Sequence, residues 1–252
     1  MRLFTALLIC TAASAQVLRI PGPGGASAAA TPPSGFSAAG GTTTGGAGNT
    51  FTTTAISVSA GQSLIIAFSA HGTSVNLCGT ITGVTATGGD TFTSLGGANF
   101  TGNACTSAWS MFSATANGSY VITLQGGAGS PTTFVYSILI FTKGSITGTA
   151  DGSPCSNNSP GATALSCSSA ITPTGTVELG IATSGAYDNT TSGTDNSSPG
   201  FTIPTNGSLV SNGVGQIVLA YYIGNPPAGS VTPGITALGS GDPICIWGIM
   251  LK

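Results

Sequence analysis

Charge is what this sequence has least of: four Lys or Arg and six Asp or Glu make up 4% of its 252 residues, against about 25% in an ordinary soluble domain. A phosphate-binding face needs several cations together, so nucleic acid is excluded as a partner. Histidine is nearly absent too. His71 is the single candidate base for a Ser/His/acid hydrolase, no Gly-x-Ser-x-Gly accompanies it, and in its Gly/Thr/Ser loop it reads as a surface residue. There is no His pair, no Cys-x-x-Cys and no EF-hand spacing, which removes the common zinc and calcium patterns, and no cofactor is expected. No stretch beyond the N-terminus approaches the ~20 apolar residues of a spanning helix. None keeps a 3.6-residue period over a helical length either, so neither a transmembrane segment nor much helix is expected.

Neutral polarity takes the place of charge, with 40 Gly and abundant Thr, Ser and Asn beside 40% hydrophobic residues. Residues 1–15 carry a basic start, a short apolar run and then Ala13-Ser14-Ala15, the form of a signal peptide cut before Gln16. Lipidation at Cys10 is the alternative, though Ile9 is larger than the small residue that usually precedes a lipidated Cys. The expected location is therefore extracellular, secreted or at the cell surface, where disulfides persist. Five cysteines follow the leader. Proximity pairs Cys78 with Cys105 and Cys155 with Cys167, other connectivities remaining open, and leaves Cys245 as a buried free thiol or an intermolecular partner.

Residues 16–50 are rich in Gly, Pro, Ala and Thr and form an arm or linker that can add an edge strand. From residue 51 to 252, short apolar runs alternate with turn clusters, as in an all-β, two-sheet antiparallel sandwich. Leu64, Ile66 and Phe68 share one face, as do Val177, Leu179 and Ile181, and Ile217, Leu219 and Tyr221; these faces are expected to meet as the core. Residues 134–141 are apolar on both faces and belong in the middle of a sheet. Turns are expected at Ser59-Ala60-Gly61-Gln62 and Gly88-Gly89-Asp90, with a type I′ hairpin at Asn117-Gly118 between residues 108–114 and 119–124. Residues 244–251 form the closing strand.

The order of Ser59-Ala60-Gly61-Gln62-Ser63-Leu64-Ile65-Ile66, of residues 81–93, of Ala108-Trp109-Ser110-Met111-Phe112 with the Asn117-Gly118 turn, and of Ile246-Trp247-Gly248-Ile249 resembles the jelly-roll-like β-sandwich domains of exported bacterial and phage-associated proteins. A Tyr near Met111 and a Tyr-Ser-Gly stretch near residues 140–143, usual in such domains, are missing. The resemblance implies a fold and carries no catalytic or binding residue.

Paired-carboxylate catalysis would draw on Asp90, Asp151, Glu178, Asp188, Asp195 and Asp242. Glu178 alternates with Val177 and Leu179, which puts it on the outer face of its strand as a solvated or edge-protecting charge. Asp188 and Asp195, in a polar loop, are the weak calcium candidates. Trp109 and Trp247 read as core, whereas Tyr187 and Tyr222 are the candidate sugar platforms. These readings lead to an exported, non-catalytic binding or surface module for a glycan or cell-surface polymer. Self-assembly as a homo-oligomer through the arm is the alternative, with a hydrolase third.

Overall fold

A computed structural model describes residues 29–45, 49–70, 78–100, 104–126, 133–186, 193–211, 215–224, 229–236 and 243–252. The chain is all-β, and the one helical turn among these residues is a 3-10 turn at Cys78–Thr80. Ten strands form the first half: β1 (Ser34–Thr44), β2 (Thr50–Thr52), β3 (Ile56–Val58), β4 (Gln62–Ala70), β5 (Ile81–Ala86), β6 (Thr93–Phe100), β7 (Ala104–Met111), β8 (Gly118–Tyr120), β9 (Ile122–Gly126) and β10 (Thr133–Thr142). They build a five-stranded antiparallel sheet of order β1-β10-β4-β7-β6, covered by β2-β9-β5 and the short pair β3-β8. The sandwich thus starts at Ser34: β1 lies beside β10 from Ser34↔Thr142 to Thr44↔Thr133. As an edge strand it needs few apolar side chains, so a Gly/Thr-rich sequence suffices.

The second half repeats the plan. It comprises β11 (Cys155–Ser159), β12 (Ala164–Ser166), β13 (Glu178–Ala186), β14 (Thr194–Asp195), β15 (Ser208–Ser211), β16 (Gly215–Gly224), β17 (Gly234–Thr236) and β18 (Ile244–Leu251). Their sheets run β11-β18-β13-β16-β15 and β12-β17-β14. Strand for strand this is the order of the first half, and the isolated bridge Ile171↔Val231 stands where β3 pairs with β8. Each half is an eight-stranded, jelly-roll-like two-sheet sandwich, with β3 and β8 as extra rungs in the first.

The two five-stranded sheets pack face to face, giving four layers and three cores. Contacts across this interface are reciprocal: β10 meets β16 as β18 meets β7, β4 meets β16 as β13 meets β7, and β4 meets β13. That reciprocity is the mark of an isologous interface, here inside one chain. Its pseudo-two-fold axis runs along β4 and β13, where Thr106 and Thr183 share a hydrogen bond of 2.7 Å between halves.

Four layers change two expectations. The face of β4 bearing Leu64, Ile66 and Phe68 does not meet Leu179, Ile181, Ile217 and Leu219; it packs outward under β2, β9 and β5, and Ile65 and Ala67 meet the second half. Strands such as β4 and β10 are apolar on both faces because each lies between two cores. The expected Asn117-Gly118 hairpin does not form either. β7 pairs with β4 and β6, while β8 pairs with β3 and β9 with β2 and β5. Two independently packed cores outweigh one local turn preference.

Other local expectations stand in the structure. Gly61 (φ 83°), Gly88 (φ 95°) and Gly89 (φ 92°) occupy the left-handed region at their turns, where a side chain would be strained. The closing strand is Ile244–Leu251, and β10 is an interior strand. Disulfides join Cys78 to Cys105 and Cys155 to Cys167, one in each half. Cys245 is a free thiol, fully buried against the Gly185 carbonyl, with its pKa pushed up to about 12 by burial. No helix among the described residues is long and apolar enough to cross a membrane.

Candidate binding groove beside strand β6

β6 is an edge strand, and a concavity lies on each side of it. The larger, about 640 Å³, opens between the halves where β6 and β7 of the first meet the end of β18. Leu95, Phe112 and Ile249 supply apolar wall; Thr93, Ser94 and Asp90 supply hydroxyls and a carboxylate. Asp90 belongs to the Gly88-Gly89-Asp90 turn. Its Oδ2 accepts the Tyr120 hydroxyl at 2.7 Å and the Thr115 N–H at 3.2 Å. Both bonds, Tyr120's the larger, lower the Asp90 pKa, and the bond to Asp90, followed by burial, raises that of Tyr120, so a fixed anion stands at the groove.

The smaller concavity, about 280 Å³, has the half-buried Trp109 as its wall, with Asn99, Ser107 and the glycines of β6 around it. The Trp109 Nε1–H is buried and has no hydrogen-bond partner among the described residues. Trp109 was expected in the core; it packs on the first half's outer core yet also lines this opening. Ser94 lines both concavities. Trp247 is core as expected, 3% exposed, with its indole against Gly96, where a Cβ would come within 2.9 Å of the ring.

The other sequence candidates are scattered. Tyr222 is half-buried and packs on Phe201 (centroids 5.6 Å apart) over the second half's outer core, away from both concavities. Asp195 is occupied with local structure, its carboxylate accepting the N–H groups of Ser197 at 3.2 Å and Phe201 at 2.9 Å. Tyr187, Asp188, Asp242 and His71 lie outside the described residues. Among the described residues no three His, Cys, Asp or Glu side chains group as metal ligands would.

Glu178 departs from its expectation: it is 0% exposed. Its alternation was right, but β13 is an interior strand with a core on each side, and the segments carrying Asp151, Thr174 and Gly175 close over the Glu178 end of the face that a two-layer sandwich would leave wet. Its Oε1 accepts the Gly175 N–H at 2.7 Å. Beside it, Asp151 accepts the N–H groups of Thr174 and Gly175, the Thr174 hydroxyl at 2.7 Å and Lys252 Nζ at 3.0 Å. Burial opposes ionisation of Asp151, but hydrogen bonds from Glu178, Thr174 and Lys252 hold its pKa far below the usual range. Burial first, then the proton shared with Asp151 and its charge, push the Glu178 pKa up to about 7. A proton on Glu178 Oε2, donated to Asp151, gives that otherwise partnerless oxygen its bond. The trio ties the end of β18 to β13, and neither carboxyl lines the groove.

Sequence reasoning missed the groove because its residues, Ser94, Leu95 and Phe112 among them, carry no motif. Comparison with family models, with curated proteins and with solved structures finds no match for this chain.

Proposed function

We propose that the protein is an exported, non-catalytic carbohydrate-binding module. The supporting observation is the pair of neighbouring concavities beside β6, each with one aromatic wall, Phe112 or Trp109, amid hydroxyl and amide groups with the Asp90 carboxylate as the one charge, and both lined by Ser94. Pyranose rings have apolar faces and hydroxyl edges, and a wall of this composition matches both. The near-absence of charge suits a neutral polymer, and the leader sequence with two disulfides suits export. The alternative reading, assembly through a projecting arm, is less favoured, since Ser34–Thr44 is already engaged in the chain's own sheet.

The test is a glycan array and an insoluble-polysaccharide pull-down on the chain from Gln16. Saturable binding is expected, weakened about tenfold by Trp109→Ala through loss of the stacking wall. Tyr222→Ala, remote from the groove, should leave affinity unchanged. Absence of binding by the parent chain across neutral glycans would refute the reading.

A further inference from the structure

The pseudo-two-fold relation fixes which residues correspond between the halves. Register from β4 to β10 and from β13 to β18 makes Phe141 the counterpart of Leu251 and Ser137 that of Trp247. Register from β4 to β7 and from β13 to β16 makes Tyr221 the counterpart of Ser110. An independent contact agrees: Ser137 Oγ donates to the Asn206 carbonyl, in the turn that leads into β15, as Trp247 lies against Gly96 of β6, the counterpart of β15.

The large groove, lined by Ser110, Phe112, Ala150 and Leu251, therefore has a counterpart across the axis, beside Phe141 and Tyr221. That counterpart contains a ring. Phe36 stacks on Tyr221 with centroids 4.0 Å apart and planes 9° apart, and on Phe141 at 5.3 Å and 11°. It gets there through a bulge in β1: register passes from Ser34↔Thr142 to Ser37↔Ile140, so Gly35 and Phe36 together stand opposite Phe141. In the second half the residue opposite Leu251 is Ala150. The groove is open because Ala150 stands where Phe36 stands and Ser110 where Tyr221 stands.

Resting on the carbohydrate reading above, the geometry points to the large groove as an acceptor for a single pyranose ring. That ring takes the volume Phe36 fills in the other half, and Ala150 sets whether it can enter. A six-membered ring is the shape this interface is built around. Across the axis its neighbours are two aromatic faces, which suit a phenyl group; in the groove they are Ser110, Thr93, Ser94 and the Asp90 carboxylate beside Phe112, which suit a ring with hydroxyls on its edge. Ala150 is exposed and its backbone bridges Leu251, so a larger side chain there projects into the opening without disturbing a core.

The experiment is titration of the parent chain and of Ala150→Phe with cellotetraose, chitotetraose and laminaritetraose, with phenol as a bare-ring control. On the parent chain the Ala150 methyl resonance is followed by NMR. The expected result is a sugar-induced shift of the Ala150 methyl, and affinity at least about tenfold lower in Ala150→Phe, with a melting temperature no lower than the parent's. Should Ala150→Phe fail to fold, the methyl shift decides alone. Sugar binding with an unmoved Ala150 methyl, or undiminished in Ala150→Phe, overturns the assignment while leaving the carbohydrate reading intact. Phenol binding with no sugar binding, or no binding at all, overturns both.

Discussion

Glu178→Gln should remove the fall in stability expected of the parent chain between pH 4.5 and about 7, and should leave the variant the more stable protein above that range. A carboxyl with a higher pKa folded than unfolded keeps its proton longer in the native state. Between the two values the native state binds more protons, and stability falls as pH rises. For Glu178 that window runs from 4.5 to about 7. Asp151 works in the opposite sense: with its pKa lowered from 3.8, it contributes stability above that value and loses it as pH falls below. The parent chain should be most stable between 3.8 and 4.5 as far as this pair decides, and should lose on the order of 3 kcal/mol by pH 8. There two carboxylates face one another with Lys252, whose side chain is 47% exposed, as their cation. Glutamine reproduces the protonated form: its carbonyl can accept the Gly175 N–H and its amide can donate to Asp151. Urea midpoints of both proteins from about pH 3 to about pH 9 read this directly, and parallel curves would show that Glu178 does not titrate as a buried acid.

The difference between what the sequence disclosed and what it did not is one of range. Alternation in residues 62–70 and the apolar run at residues 244–251 are properties of each strand alone, so these strands were legible, as were the turns at Gly61 and at Gly88-Gly89. The near pairings Cys78–Cys105 and Cys155–Cys167 were legible for the same reason. Pairing partners were not. Jelly-roll order joins β10 to β1 and β4, distant in sequence, and Asn117 is drawn into that order, its Oδ1 accepting the Ala60 N–H at 2.8 Å instead of shaping a hairpin. The duplication is equally silent in one dimension. Counterparts such as Ser137 and Trp247, or Ser110 and Tyr221, have diverged in size to serve different neighbours across the axis. The groove is hidden for that same reason: Ala150 and Ser110 matter for being small where their counterparts by register are large. Glu178 was misjudged through the number of layers, since an outward residue of a two-layer sandwich is a buried one in a stack of four.

Gly185→Ala is expected to be among the most damaging single-methyl changes at the described glycines. Gly185 lies in β13 at the pseudo-two-fold axis, where its counterpart by register is Ser69 of β4. A Cβ there would fall well inside van der Waals contact of the Cys105 carbonyl oxygen and 2.5 Å from Ser69 Oγ. Neither obstacle yields easily: Cys105 is held by its disulfide to Cys78 and by ladder bonds to β4 and β6, and Ser69 is fully buried. The methyl must therefore push the two central sheets apart along the interface that buries Ile65, Leu139, Ile181 and Leu219. A loss of about 3–5 kcal/mol is expected, at the upper end for a core change, because backbone rather than a flexible side chain is displaced. Gly83→Ala is the control, also within a strand but with Gln125 Cβ as its nearest neighbour at 4.0 Å, and it should stay within about 0.5 kcal/mol of the parent or gain slightly. Urea denaturation of the two variants separates these outcomes. If Gly185→Ala costs no more than Gly83→Ala, the sheets do not approach closely at the axis, and the correspondence that places Ala150 opposite Phe36 loses its anchor.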